Sequence, residues 1–375
     1  MNLADRLSQR ARAIEFSGIR RAFEQAGKMK DPIDLSIGQP DYDAPDAVKR
    51  AACDAIQRGD NRYTLSAGLP ALRAALRDKL RAEWGWEPGV LVTAGVSGGL
   101  TLALLALIDP GDEVILIDPY FVSYKQLVRM FGGVPVPVSS YPNFAFPAAA
   151  VEAAITSRTR ALLVNSPGNP TGRVLSEAEV RVAADLCRRH DLALISDEIY
   201  SDLSFDGPSL SPALFAPDHT VVLRGFGKTY GVTGWRLGYL AAAGSLADEL
   251  IRLQQYTFVC APSMAQHAML TALRTDVSQH GRDYARKRDL VCEALGGAFE
   301  LTRPGGGFYV FPRAPARFGT AGAFVSAAAE RGVVIIPGGV FSEQDTHFRI
   351  SFATSNPMLQ EGCRRLCELA RSGPP

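Results

Sequence analysis

Four stretches of the chain put reactive or anion-seeking residues directly after runs suited to buried strands. LALIS at 192–196 is followed by Asp197 and Glu198, ALLVN at 161–165 by SPGNPTG, and TVVLR at 220–224 by GFGKTYG, while TAGVSGG at 93–99 leads into an apolar helix. Open parallel sheets bind ligands beyond the carboxyl ends of their strands, so a carboxylate, an amide, a lysine and a Gly-rich turn are predicted to converge there. The small residues of TAGVSGG let backbone N–H groups approach an anion, with Ser97 as a hydroxyl donor and the helix dipole behind them. Such a turn also occurs where nothing binds. GFGKT resembles the end of a nucleotide phosphate loop, but that loop needs glycine at 222 and the chain has Val222.

A lysine after a buried strand is either ion-paired or kept as a free amine, because burial lowers its pKa and makes it available for imine formation. An aspartate in the same position is often a helix cap. Taken together, Asp197, Lys228, the TAGVSGG turn and the downstream Arg236 supply what pyridoxal phosphate needs. They offer a pyridinium partner, an imine-forming amine and a phosphate cradle.

The elements that carry these residues follow from the alternation of apolar runs with amphipathic stretches. LPALRAALRDKL, VILI at 114–117, ALLVN, LALIS and TVVLR predict a mostly parallel α/β sheet covered on both faces. The helix before LALIS opens with SEAE at 176–179, where Ser176 caps and Glu179 reaches back, and runs to His190. Beyond about residue 280 the pattern changes to FYVF (308–311), VVII (333–336) and FRISF (348–352), with helices near 320–331 and 357–371. That is the pattern of a smaller α+β domain.

Composition narrows the function classes. The 375 residues are 47% hydrophobic and 21% charged, enough for a substantial core, and 40 Lys and Arg against 39 Asp and Glu leave a formal charge of +1. No bulk field favours nucleic acid or an anionic membrane, so a charged ligand must be held locally. The longest apolar run, roughly Gly98 to Ile108, is shorter than the ~20 residues of a membrane helix, and no apolar signal core opens the chain. Six cysteines without a CxxC pair predict a reduced, cytoplasmic protein. The five histidines lack metal spacing, and Cys363 with Cys367 fit a buried helical stripe, so no metal is expected.

SPGNPTG, SDEIY, GKTYGVTGWRLGY and HFRISFATS, in this order, resemble the class I/II aminotransferases of pyridoxal-phosphate fold type I, particularly the prokaryotic aspartate and aromatic branch. SGIRRAFEQAG and LSIGQPDYDAP near the start extend the resemblance over nearly the whole chain. It implies a large cofactor-binding domain over 36–278, with a seven-stranded sheet, and a small domain from 1–35 and 279–375. It also implies a homodimer with shared active sites, working in amino-acid metabolism. The reaction would move the amino group of an L-amino acid to a 2-oxo acid by a ping-pong route. Carbon–sulfur lyases and cyclising synthases use the same fold and remain alternatives.

The resemblance implies roles residue by residue. Lys228 forms the imine with the cofactor and then shuttles the α-proton; Asp197 pairs with the pyridine nitrogen; Asn169 and Tyr200 hydrogen-bond the phenolic oxygen. Phe121 stacks on the ring, Val96, Ser97 and Arg236 hold the phosphate, and Tyr63 reaches the phosphate of the neighbouring subunit. Gly38, Asn169 and Arg349 take the substrate carboxylate, Arg349 as a bidentate clamp. Many relatives carry serines just before the lysine where this chain has Gly225 and Gly227, which shifts the phosphate contacts towards Ser97 and Arg236. Phe121, Tyr124, Tyr230, Tyr256 and Phe258 fall in segments that relatives place near the cofactor, which favours neutral, aromatic or large aliphatic donors with 2-oxoglutarate or pyruvate as acceptor. A second carboxylate would need an arginine such as Arg20 or Arg21.

Overall fold

The runs VILI, ALLVN and LALIS become strands that end in the polar residues Asp118, Asn165 and Asp197, and TVVLR becomes the strand that leads to Lys228. The computed structural model describes residues 2–16, 18–20, 27 and 29–373. After the short strand β1 (Ile33–Asp34), seven strands form one sheet: β2 (Gly89–Thr93), β3 (Glu113–Asp118), β4 (Val134–Ser139), β5 (Thr159–Asn165), β6 (Ala193–Asp197), β7 (Thr220–Gly225) and β8 (Gly238–Ala242). Their order is β2-β8-β7-β6-β5-β3-β4, parallel from β7 to β4, with β8 antiparallel to both neighbours. Register sets Asn165 beside Asp197, and Asp197 beside Leu223. Three chemically different strand ends therefore lie side by side.

Alternation along the strands buries both faces of this sheet. Val90, Val92 and Val222 pack with Leu72, Leu76 and Leu80 of the helix Pro70–Trp84. On the opposite face Leu91, Leu163 and Leu240 meet Leu100 and Leu104 of the helix Gly95–Leu107. The helix Glu177–Arg189 begins with a complete Ser176–Glu179 capping box, as the SEAE signal predicts. Pro135 and Pro137 are tolerated in β4 because, among the described residues, it is an edge strand without a second neighbour.

The C-terminal segment builds a separate apolar layer. Strands β9 (Tyr309–Val310), β10 (Val333–Val334), β11 (Ile336–Pro337) and β12 (Phe348–Ser351) pair as β10 with β1 in parallel and as antiparallel β11-β12-β9. The run VVII thus divides between two small sheets. Helices Ser278–Gly296, Ala321–Glu330 and Asn356–Ser372 cover them, and Phe308, Phe324, Phe348 and Leu366 fill the core. Cys363 and Cys367 are buried in that core, and the six cysteines are free thiols. Tyr120 N–H donates to the Phe341 carbonyl at 2.8 Å, and the Tyr120 hydroxyl and Lys125 ammonium both reach Glu343 at 2.5 Å, joining this layer to the sheet just before Phe121. Among the described residues no helix is long and apolar enough to cross a membrane, and no cluster of three or more His, Cys, Asp or Glu could hold a metal.

Candidate active site

The end of β6 buries a carboxylate without a full counter-charge. Asp197 is 4% exposed; its carboxylate accepts from the Tyr124 hydroxyl at 2.7 Å and from the Ile199 N–H at 3.1 Å. Burial pushes its pKa up to about 6, against the lowering effect of those two donors and of Lys228. The carboxylate is therefore mostly ionised at neutral pH and suited to a cationic ligand group. Its own backbone carbonyl accepts from the Asn165 side-chain amide at 2.9 Å, which ties β5 to β6 at the site.

Lys228 sits on the one-turn helix Phe226–Thr229 that follows β7. Its ammonium donates to the Gly38 carbonyl, and its Nζ lies 5.7 Å from the centroid of the Phe308 ring. Burial, with the nearby Arg349 and Arg236 charges, lowers its pKa to about 8, while Asp197 opposes the shift. A fraction of the amine is thus free at physiological pH, as a nucleophile or proton carrier requires.

The TAGVSGG turn is shaped for close approach. Gly95 begins the helix with φ +71, a left-handed conformation that suits glycine, and a Cβ on it would lie 2.9 Å from the Arg236 guanidinium. Gly238 passes beneath, where a Cβ would come within 2.9 Å of the Val96 nitrogen. The chain thereby brings Val96, Ser97 and Arg236 around one helix N-terminus of 13 residues, an anion-binding arrangement. Gly225 is matched to this packing: a Cβ there would meet Ile199 at 2.6 Å and Val96 at 3.0 Å. A serine at 225 would require the Ile199 and Val96 side chains to shift, whereas a Cβ at Gly227 would lie 3.3 Å from the Thr233 backbone.

Arg349 in β12 is 1% exposed and lies between aromatic faces, 4.4 Å from the Tyr309 centroid and 4.7 Å from Phe341. Its guanidinium donates to Asn169 Oδ1 at 2.9 Å and to the Ser36 carbonyl at 2.6 Å, while its Nε is buried without a partner among the described residues. A buried cation with a spare donor is prepared for an incoming carboxylate. Tyr200 meets the Tyr309 hydroxyl at 3.2 Å, so two phenols share the space next to Asn169.

Gly38, Val96, Ser97, Phe121, Asn169, Asp197, Tyr200, Lys228, Arg236 and Arg349 all line one cavity of about 680 Å³. Tyr63 does not; it is 85% exposed on the surface of the chain. Of the five aromatics expected near the cofactor, only Phe121 and Tyr124 reach this cavity. Tyr230 lines a different one, and Tyr256 and Phe258 lie outside it at the surface. Arg20 lines the cavity and Arg21 lies outside the described residues. Sequence reasoning missed Tyr124 as the donor to Asp197, and Asn165, Tyr309 and Ser36 as partners. Two signals were available: Tyr124 stands three residues past Phe121 at the start of the helix Ser123–Met130, and Asn165 is the polar end of an apolar strand.

Comparison with known proteins places the chain. The family model for aminotransferase class I and II matches residues 30–366. The chain is 37% identical to the aspartate/prephenate aminotransferase of Thermus thermophilus, over 97% of this chain and 98% of that protein. It is 33% identical to aromatic-amino-acid aminotransferase 2 of Thermococcus litoralis, over 96% and 97%. The crystal structure of Thermus thermophilus aspartate aminotransferase with maleate superposes with a TM-score of 0.93 at 36% identity, covering 97% of this chain and 99% of the other. Matches of this length and identity, on an α/β fold of the same kind, leave one conclusion: the chain is an enzyme of the class I and II aminotransferase family.

Proposed function

We propose that the cavity holds pyridoxal 5'-phosphate and that the chain passes an amino group from an L-amino acid to a 2-oxo acid in two half-reactions. The observation that carries this reading is the placement, at adjacent strand ends and in one cavity with Arg236 and Arg349, of the buried Asp197 carboxylate and the Lys228 amine, burial raising the pKa of the first and lowering that of the second. The cavity fits the group: Asp197 lacks a full counter-cation, Arg236 and the Gly95 turn form an anion cradle, and the Arg349 Nε is unpartnered. When bound, the cofactor supplies an electron sink for the carbon that loses its proton.

The chain's own groups do the rest. Arg349 orients the substrate through its α-carboxylate, displacing part of the guanidinium's contact with Asn169 and Ser36. Lys228 Nζ, as the free amine, would take the proton from the substrate α-carbon and, as the ammonium so formed, would give that same proton up again within the half-reaction. Asp197 would keep a proton on the pyridine nitrogen of the bound group by ion pairing, and the Tyr124 hydroxyl holds Asp197 in place. Asn169 and Tyr200 are the hydrogen-bonding partners for a phenolic oxygen. Phe121 would cover the ring of the bound group, and Val96, Ser97 and Arg236 would hold its phosphate.

Three organisational features belong to the same reading. Residues 36–278 form the cofactor-binding domain, and 1–35 with 279–375 the small one. The chain works as a homodimer in the cytoplasm: Tyr63, Leu65 and Tyr256 are exposed, and the segment carrying Tyr63 is tied to the one carrying Tyr256 by the Gln254 amide on the Ser66 carbonyl. That exposed apolar surface suits a second copy, to whose phosphate Tyr63 would reach. Ile19, Ile37, Phe121 and Val122 give the cavity an apolar side, and Arg20 is its remaining cationic side chain among the described residues.

Incubation of the cofactor-loaded protein with an amino acid alone tests the reaction. An aminotransferase stops after one turnover and resumes when a 2-oxo acid is added; continued release of product identifies a lyase. Borohydride reduction followed by peptide mapping must place the cofactor on Lys228. Comparing kcat/KM for phenylalanine and aspartate then reads the side-chain pocket, and a lead of more than about tenfold for aspartate, ~1.4 kcal/mol, requires a second cationic contact for its side-chain carboxylate.

A further inference from the structure

The helix that carries Lys228 ends after a single turn, so its last carbonyls must find partners outside the helix. The Tyr42 hydroxyl donates to the Lys228 carbonyl and lies 3.5 Å from that of Thr229. The same loop supplies the Gly38 carbonyl that receives the Lys228 ammonium. It also packs directly on the turn: a Cβ at Gly231, where φ is +68, would lie 2.7 Å from the Tyr42 carbonyl oxygen. Two hydrogen bonds from one loop thus grip the lysine at both its backbone and its side-chain end.

The loop is itself anchored on the helix Ser278–Gly296. The His280 ring stacks on Tyr42 with centroids 3.6 Å apart and planes 3° from parallel. Tyr284 donates to the Asp41 carboxylate at 3.0 Å, and Lys287 forms an ion pair with the same group. Burial and the Asp41 and Asp202 charges raise the Tyr42 pKa, so its hydroxyl remains a donor throughout the physiological range.

We propose that Tyr42 is a positioning residue for Lys228, fixing the lysine backbone through its hydroxyl and linking that backbone to the helix Ser278–Gly296. The proposal rests on Lys228 being the proton carrier. It predicts a loss in the chemical step rather than in substrate binding, because Tyr42 does not line the substrate cavity. A side chain that only filled space would lose little when its hydroxyl alone is removed.

The test is Tyr42→Phe in the full-length chain, which keeps the ring and its stack on His280. Amide hydrogen exchange over 226–232, measured with the cofactor removed and with it restored, should speed up by about tenfold, the scale of one lost hydrogen bond. The melting temperature should change by only a few degrees. In the loaded enzyme kcat should fall by about tenfold while KM for the amino acid stays within about twofold. Unchanged exchange overturns the clamp, and faster exchange with unchanged kcat overturns the positioning role. The exchange measured with the cofactor removed depends on neither cofactor nor substrate, so a wild-type protein that fails to transaminate would sink the functional reading while the clamp is still decided.

Discussion

Arg224 and Glu198 form an ion pair at 2.8 Å directly behind the strand ends that carry Asp197 and lead to Lys228, with side chains only 8% and 2% exposed. Glu198 follows Asp197 in sequence, and Arg224 lies in the strand that leads to Lys228, so the pair joins the ends of β6 and β7 on the side away from the cavity. Glu83 adds a second carboxylate at 2.6 Å from the same guanidinium, and Trp84 covers it at 5.5 Å. Replacing one partner of such a pair leaves a buried charge uncompensated. Arg224→Met should therefore cost about 3–5 kcal/mol in urea denaturation. Adding Glu198→Gln should recover part of that loss; a double variant less stable than the single one would show that the pair is not the source.

Reactivity of Lys228 should titrate far from that of surface lysines. With the cofactor removed, trapping by a small aldehyde and borohydride, mapped by mass spectrometry, should rise with pH to a plateau with a midpoint near 8. The sign follows from the amine being reactive only when neutral, so the lowered pKa moves reactivity down the pH scale. Because the Asp197 charge works against this shift, Asp197→Asn should move the midpoint lower still. A midpoint above about 10, the ordinary lysine value, contradicts the buried environment.

Tyr124→Phe removes the hydrogen bond that most lowers the Asp197 pKa, so that pKa should rise above about 6. The proposed role of Asp197 requires its ionised form, so the acidic limb of the kcat/KM profile should move to higher pH. A lost bond to a charged group is worth about 1.5–3 kcal/mol, or about one to two pKa units, so the ionised fraction and with it kcat/KM should fall by roughly two- to fifteenfold at pH 7. Part of the loss should be regained at alkaline pH. A uniform fall across the profile would assign Tyr124 to packing alone.

Arg349→Lys keeps the charge but removes the planar fork that contacts Asn169 and Ser36. Loss of a bidentate carboxylate contact should lower kcat/KM by about a hundredfold or more, mainly through KM for both the amino acid and the 2-oxo acid. An effect on only one of the two substrates would argue against a shared carboxylate site.

Much of the site was legible because its polar residues end buried strands. An apolar run followed by Asp197, by SPGNPTG or by GFGKTYG marks strand ends locally, and parallel pairing must set such ends at one edge of a sheet. Capping at Ser176 is equally local. Partner choice is different. Tyr124 meets Asp197 across 73 residues, Arg349 meets Asn169 across 180, and Tyr42 meets the Lys228 carbonyl across 186. These contacts depend on how distant elements pack, which no local spacing encodes. The reversal of β8 came from its connection, Phe226–Leu237, whose helices are single turns too short to carry a parallel crossover. The division of VVII between two small sheets likewise arose from packing, since β-branched runs state a strand but not its neighbour. The residue types and strand ends determined by the sequence alone defined the chemistry available, whereas tertiary packing decided which side chains share the cavity, which hold one another in place, and which, like Tyr63, remain on the surface.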